Sequence, residues 1–293
     1  MVADVIVVVV VVVDLDGDGD VEVDVDVDAA RPSTIWTATF TSPSPSRFTS
    51  TPTTTTTTTG TMTTEPSRAV DLQRVLEWTA VIGDETHYAW LAACYARGVL
   101  GVELRDADVI AAAERAGLRM HRFKRSAELP RVRAMLGTLR GLGVETLLDV
   151  GSGRGVFLWP MLDGLPDVRV TSIDVLAERA QQIAAVAKGG VERLSVARMD
   201  AGRLGFGEAT FDVVTVLEVL EHVAEPERVA REVVRVARRA VLATVPSHED
   251  DNPEHVRLFT AERLRALFEE AGARRVVVDG VRGHLTAVAM CDE

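Results

Sequence analysis

From residue 144 onward, apolar and polar positions alternate between two periods. Short apolar runs at 144–150, 168–173, 194–197, 211–217 and 240–245 read as strands. Segments at 155–163, 176–188, 226–238 and 260–271 instead carry their apolar residues at helical spacing, with Thr260 placed as an N-cap. Such alternation specifies a parallel α/β sheet with helices on both faces. Two last β-rich runs, 274–278 and 285–289, are separated by Asp279-Gly280 and Gly283 with no helix between them, so they should pair antiparallel. The expected fold is α/β, a mostly parallel seven-stranded sheet ending in an antiparallel hairpin.

Upstream, residues 65–142 read as a helical cap. Asp71 can cap a helix with Leu72, Val75, Leu76, Val81 and Ile82 on one face. Further helices are expected at about 87–99, 107–116 and 128–140, with Gly101, Gly117 and Gly141 as breaks. Residues 1–64 differ in kind. They contain a valine run at 5–13, an alternating Val/acid stretch at 21–28, and 11 threonines between Thr51 and Thr64. A Pro/Ser/Thr tract cannot bury enough apolar surface to offset the entropy of ordering it, so a low-complexity, disordered tail is expected. The valine run falls short of the ~20 apolar residues needed to span a bilayer and lacks a basic n-region, which leaves an aggregation-prone strand. Asp14-Leu-Asp16-Gly-Asp18-Gly19 opens like a calcium loop, but its twelfth position is Val25 and it reads as acidic repeat. The monotony of this segment raises the expectation that synthesis begins at Met62. The domains are thus 1–64 tail, 65–142 cap and 143–293 α/β core.

The formal net charge of -12 argues against an anionic partner only until it is divided. Nine acids against Arg31 and Arg47 in the first 64 residues account for most of it. The most basic stretch, from Arg115 through Arg119, His121, Arg122 and Lys124 to Arg125, suits an anionic substrate or a phosphate backbone. It equally suits a solvated surface with Met120 and Phe123 turned to the core. Cys94 and Cys291 fit neither a disulfide framework nor a zinc knuckle, so a reduced, cytoplasmic setting without membrane insertion is expected.

The chemistry concentrates at the carboxyl ends of the strands, which line the ligand crevice of open α/β sheets. Leu147-Leu148-Asp149-Val150-Gly151-Ser152-Gly153-Arg154-Gly155 sits where the first strand of the sheet turns into its helix. Three glycines allow a tight turn and close backbone approach by a ligand. The spacing is not the dinucleotide G-x-G-x-x-G, and Asp149 would repel a pyrophosphate while favouring a cationic ligand. Asp174, ending the second strand, stands where a carboxylate accepts from ribose hydroxyls, and Asp200 after the third strand could accept from an adenine amino group. A helix cap or loop acid is the plain alternative for each aspartate taken singly.

Residues 144–290 resemble the class I S-adenosylmethionine-dependent methyltransferases, whose core is Rossmann-like. The resemblance rests on the glycine turn, Asp174, Asp200, the run Phe211-Asp212-Val-Val-Thr-Val-Leu-Glu218-Val-Leu-Glu221-His222, and Arg257-Leu-Phe-Thr260-Ala-Glu262. It implies S-adenosyl-L-methionine as cofactor, bound through Asp149, Gly151, Gly153, Gly155, Asp174, Asp200 and Glu218. Activation resides in the cofactor, so the chain supplies positioning and exclusion of water. If the nucleophile is a hydroxyl, His222 or His255 could serve as base.

Glu218, Glu221 and His222 lie at i, i+3 and i+4, so one helical turn would present all three to one side. With His255, or His248 instead, from the following polar loop, they would suit Mg²⁺, Mn²⁺ or Zn²⁺. That set is similar to the metal site of small-RNA 3′-terminal ribose 2′-O-methyltransferases, and the same pentapeptide occurs in quinone-biosynthesis O-methyltransferases. The RNA enzymes continue with an aromatic-rich stretch where this chain has Val256-Arg257-Leu258-Phe259. A small-molecule acceptor is therefore favoured over RNA, with arginines of 115–133 facing its anionic groups. Two other classes are weighed: a nicotinamide dehydrogenase, disfavoured by the glycine spacing and the terminal hairpin, and a non-catalytic cofactor-binding partner protein.

Overall fold

The computed structural model describes residues 11–15, 21–25, 87–248 and 255–291. Strands β1 (Val11–Leu15) and β2 (Val21–Val25) pair antiparallel, so part of the valine run does form a strand. The expected helix after Asp71, the Thr/Pro tract and most of the acidic repeat lie outside the described residues.

Among the described residues three helices precede the main sheet: α1 (Ala89–Leu100), α2 (Asp106–Arg115) and α3 (Pro130–Leu142). A 3₁₀ turn, Met120–Phe123, joins the last two. The helix ends follow local rules. Gly101 closes α1 at φ 65°, donating to the Arg97 carbonyl, and Pro130 opens α3 where its missing N–H has no partner to lose. Gly141, expected as a break, is inside α3; the stop falls at Gly143, whose φ of 59° only glycine adopts at low cost.

The sheet is built as expected: β3 (Thr146–Val150), α4 (Leu158–Gly164), β4 (Arg169–Asp174), α5 (Ala177–Lys188), β5 (Leu194–Arg198), β6 (Phe211–Leu217), α6 (Pro226–Val236), β7 (Ala237–Pro246), α7 (Ala261–Glu270), β8 (Arg275–Val281) and β9 (His284–Met290). Strand order is β5-β4-β3-β6-β7-β9-β8, parallel through β7, with β9 antiparallel to both β7 and β8. Thr260 caps α7, accepting the Arg263 N–H at 3.2 Å. The hairpin is longer than its sequence suggests. Asp279-Gly280 lies within β8, and the reversal is the two-residue turn Arg282-Gly283, with Gly283 at φ 82°.

Both sheet faces are covered. Leu147, Val170, Leu194, Val213 and Leu242 pack on α1, α3, α4 and α5, while Leu148, Ile173, Val214, Val241 and Val245 pack on α6 and α7. Helices α1 and α3 thus belong to the same apolar cluster as the sheet and complete one of its faces. Their attachment is close. A Cβ on Gly98 of α1 would lie 1.9 Å from the Ala185 carbonyl oxygen, and one on Gly189 would lie 1.7 Å from that of Cys94. Among the described residues no helix is long and apolar enough to cross a membrane.

Candidate active site

Strands β3 and β6 are neighbours whose connections run to opposite sides of the sheet, so the crevice opens at their carboxyl ends. The glycine turn occupies that point. The Gly151 N–H donates to the Ile173 carbonyl at 2.8 Å and the Gly155 N–H to the Ser152 carbonyl at 2.9 Å. Gly151, Gly153 and Gly155 all have positive φ. The three differ in what surrounds them. A side chain on Gly155 would strike the Trp159 ring at 2.0 Å, and one on Gly151 would strike Val219 at 2.5 Å. Gly153 has only the Gly151 carbonyl oxygen and Arg179 near, at 3.7 and 3.8 Å, so its missing side chain leaves an open cradle.

Asp149 sits beneath this turn, 2% exposed. It accepts from Thr215 Oγ1 at 2.7 Å and from Ser152 Oγ at 2.6 Å, and Ser152 Oγ lies 2.7 Å from Ser172 Oγ. The carboxylate therefore braces the turn from below. Burial pushes its pKa up to about 6, with the two hydroxyl donors pulling the other way and Asp174 adding a smaller upward push. Because the folded pKa lies above the ordinary value, this group's stability contribution is full below about pH 4. It fades as pH rises through about 6, a change of about 3 kcal/mol. Asp149→Asn should accordingly lose that component, and thermal melts from pH 4 to 7 should show the difference between wild type and variant moving in the variant's favour as pH rises.

Asp174 is 3% exposed and accepts the Gly153 and Leu176 N–H groups, each at 2.9 Å. Two of its four lone-pair directions remain for further donors. Val175 and Leu176, beside it, are exposed and apolar, an offer for a flat ring that sequence reading passed over although the pair follows the acid directly. Asp200 is exposed and accepts the Gly202 N–H at 2.8 Å. Its loop is held from α6: Arg228 Nε donates to the Gly202 carbonyl at 2.8 Å, and Arg235, paired with Glu232, donates to the carbonyls of Leu204 and Phe206.

Residues 218–223 do not form the helical turn expected of them. Glu218 has φ 56°, outside the right-handed helical region. Its Oε1 accepts from Thr244 Oγ1 at 2.7 Å; its Oε2 lies 2.9 Å from His284 Nε2 and 3.7 Å from Arg131 Nε. Glu218 is not in the group of side chains that converge. Glu221, His222 and His255 do converge, with one ligand atom from each within 4.8 Å of the others and the two rings 4.8 Å apart. Glu221 is buried, and the Val256 N–H donates to its main-chain carbonyl at 2.9 Å. His248 lies elsewhere, against the hairpin turn at Gly283. In the basic stretch Phe123 is fully buried, Arg122 stacks on Tyr95 and Arg125 on Tyr88, each at 5.1 Å.

Residues 148–243 match the family model for a methyltransferase domain, and they carry the glycine turn, Asp174, Asp200 and the Glu218 segment. The α/β core is thus similar to methyltransferase domains over about a third of the chain. A phosphatidylethanolamine N-methyltransferase of Cereibacter sphaeroides is 36% identical over 127 residues, 42% of this chain. The chain spans 59% of that relative's length. Among solved structures, a SAM-dependent methyltransferase from Aquifex aeolicus is 23% identical with a TM-score of 0.46, covering 62% of this chain and 98% of that one. A chain from the complex between the Haloferax volcanii Trm112 methyltransferase activator and a methyltransferase is 20% identical with a TM-score of 0.47, covering 65% and 98%. The glycine turn, Asp174, Asp200 and Glu218 lie at or just after the carboxyl ends of β3, β4, β5 and β6.

Proposed function

We propose that this chain transfers the methyl group of S-adenosylmethionine to an oxygen of a small molecule. The observation that carries the reading is the open cradle at Gly153, whose N–H is bound to a buried Asp174 with acceptor capacity to spare. That arrangement fits the cofactor: backbone at the glycine turn for the amino-acid part, Asp174 for the ribose, and Val175, Leu176 and Asp200 for the adenine. When bound, S-adenosylmethionine supplies an electrophilic methyl on a sulfonium. The chain's part is to orient the acceptor and to exclude water. Arg131, whose Nε lies 3.7 Å from Glu218 Oε2, adds a cation suited to an acceptor with an anionic group.

The convergence of Glu221, His222 and His255 supports a second reading, metal-dependent methylation of an RNA ribose. One carboxylate and two imidazoles are a donor set for Zn²⁺ or Mn²⁺. Methyl-labelled S-adenosylmethionine incubated with a cell extract, then separated into metabolite, lipid and RNA fractions, decides between the two. Label in the metabolite fraction, undiminished in EDTA and in Glu221→Ala, is the expected result. Label in RNA that disappears with chelator overturns the small-molecule reading, and label in a lipid amine would replace oxygen by nitrogen as the acceptor atom.

A further inference from the structure

The cap and the glycine turn share one side chain. Trp159 stands in the first turn of α4, and its main-chain N–H donates to the Gly155 carbonyl at 2.9 Å. A helical side chain leans toward the N-terminus of its helix, so the indole lies back over the turn that precedes it. The residue is 1% exposed, and a Cβ on Gly155 would come within 2.0 Å of the ring. Its Nε1 stands 3.0 Å from the Arg154 carbonyl oxygen, between Gly153 and Gly155, and 3.0 Å from the Arg122 carbonyl oxygen in the cap. One buried N–H is thus divided between two carbonyls from distant parts of the chain.

A second tie runs beside the first. Ser126, also buried, donates from its Oγ to the Val156 carbonyl at 2.7 Å. The same cap segment is held on its other side by α1 and the residue before it. The Tyr88 N–H donates to the Phe123 carbonyl at 2.7 Å, and the Phe123 ring lies 5.5 Å from that of Tyr95 and 5.2 Å from that of Trp159. Residues 122–126 therefore bridge α1 and the glycine turn. A core position filled only for its apolar area would be served by phenylalanine or leucine. An indole adds an N–H whose burial costs free energy unless it is bonded. Here its bonds go to the backbone of the candidate cofactor turn and to the cap.

We propose that Trp159 is a positioning residue of the cofactor site, whose indole holds the Gly153–Gly155 backbone in the form that takes S-adenosylmethionine and joins the cap to it. This rests on the methyltransferase reading above and adds a link from the cradle to the cap. The Gly153 N–H is pinned on Asp174 and the Arg154 carbonyl on Trp159, so the planar peptides between them are fixed from two directions. A ligand in the cradle makes opening of the turn rarer, and the shared N–H carries that restraint to residues 122–126. Trp159 acts through the backbone it holds.

The test uses the full chain with S-adenosylmethionine as the added ligand. Trp159→Phe keeps an aromatic ring and removes the donor, and should weaken calorimetric binding by roughly tenfold, the weight of one buried hydrogen bond. Leu162→Ala, in the core-facing part of the same helix, separates this from a general loss of stability. It should lower the melting temperature at least as far while leaving affinity within about twofold of wild type. Hydrogen exchange read by mass spectrometry supplies a measurement on the unaltered chain, which decides even where Trp159→Phe does not fold. Adding S-adenosylmethionine should slow exchange in residues 120–129 as well as in the turn, and the slowing in 120–129 should shrink in Trp159→Phe. Affinity within about twofold of wild type in Trp159→Phe would overturn the proposal and leave the methyltransferase reading intact. So would exchange of the wild-type cap that is the same with and without the cofactor. Failure of the wild-type chain to bind S-adenosylmethionine would instead remove that reading, and this one with it.

Discussion

Gly189→Ala should lower the melting temperature by roughly 6–12 °C, although its backbone allows alanine without strain. Gly189 has φ −82° at the end of α5, so the new methyl meets no conformational barrier. It meets the main chain of α1: 1.7 Å from the Cys94 carbonyl oxygen and 2.5 Å from its carbon. Backbone cannot rotate aside as a side chain can, so α1 must lift from α5, and overpacking of this kind costs about 3 kcal/mol. Gly98→Ala makes the same point in reverse, from α1 against the Ala185 carbonyl at 1.9 Å. There helix propensity alone predicts a gain of about 1 kcal/mol, so a loss isolates the steric term. Gly137→Ala, in α3 with nothing within 4 Å of the added Cβ, is the control and should stabilise by about 1 kcal/mol. Differential scanning calorimetry of the three variants checks all of this. Equal melting temperatures for wild type and Gly189→Ala would mean that α1 does not seat on α5 as described.

Asp174→Ala should weaken binding of S-adenosylmethionine by about 100-fold or more. Two effects add. The carboxylate's free acceptor directions are lost to the ribose, and hydrogen bonds to a charged group contribute about 1.5–3 kcal/mol each. The Gly153 and Leu176 N–H groups also lose their partner, which loosens the turn that frames the cradle. Asp200→Ala, at an exposed residue bonded to the Gly202 N–H, should cost far less. Titration calorimetry with S-adenosylmethionine, and with NAD as a ligand that should not bind, separates the cases. Near-wild-type affinity in Asp174→Ala would place the cofactor elsewhere.

Most of the architecture was legible in the chain. Period-two and period-3.6 patterns located each strand and helix of the sheet to within a few residues, because burial on both faces demands continuous apolar strands. The glycine turn, Asp174 and Asp200 were legible because strand ends are set by local pattern, and the crevice always lies there. The Glu218 group was not. Spacing of i, i+3 and i+4 assumes helical backbone, and a left-handed glutamate breaks that assumption without leaving a mark that glycine would leave. His284 looked like the start of a strand and nothing more, since its partner stands 66 positions earlier. Gly98 and Gly189 went unremarked because a glycine read along one helix suggests weakness, not a second helix pressed against it.

By itself, then, the sequence determined what short-range physics controls: which segments are strands and helices, their order, the turn at 151–155 and the acids that end the strands. Only the tertiary structure decided which side chains meet. It separated Glu218 from Glu221, His222 and His255, gave it to Thr244, His284 and Arg131, and set α1 on α5 through two glycines. The reason is physical. Periodicity fixes the direction of a side chain relative to its own element, whereas a contact between elements depends on register, crossing and backbone conformation across the whole sheet.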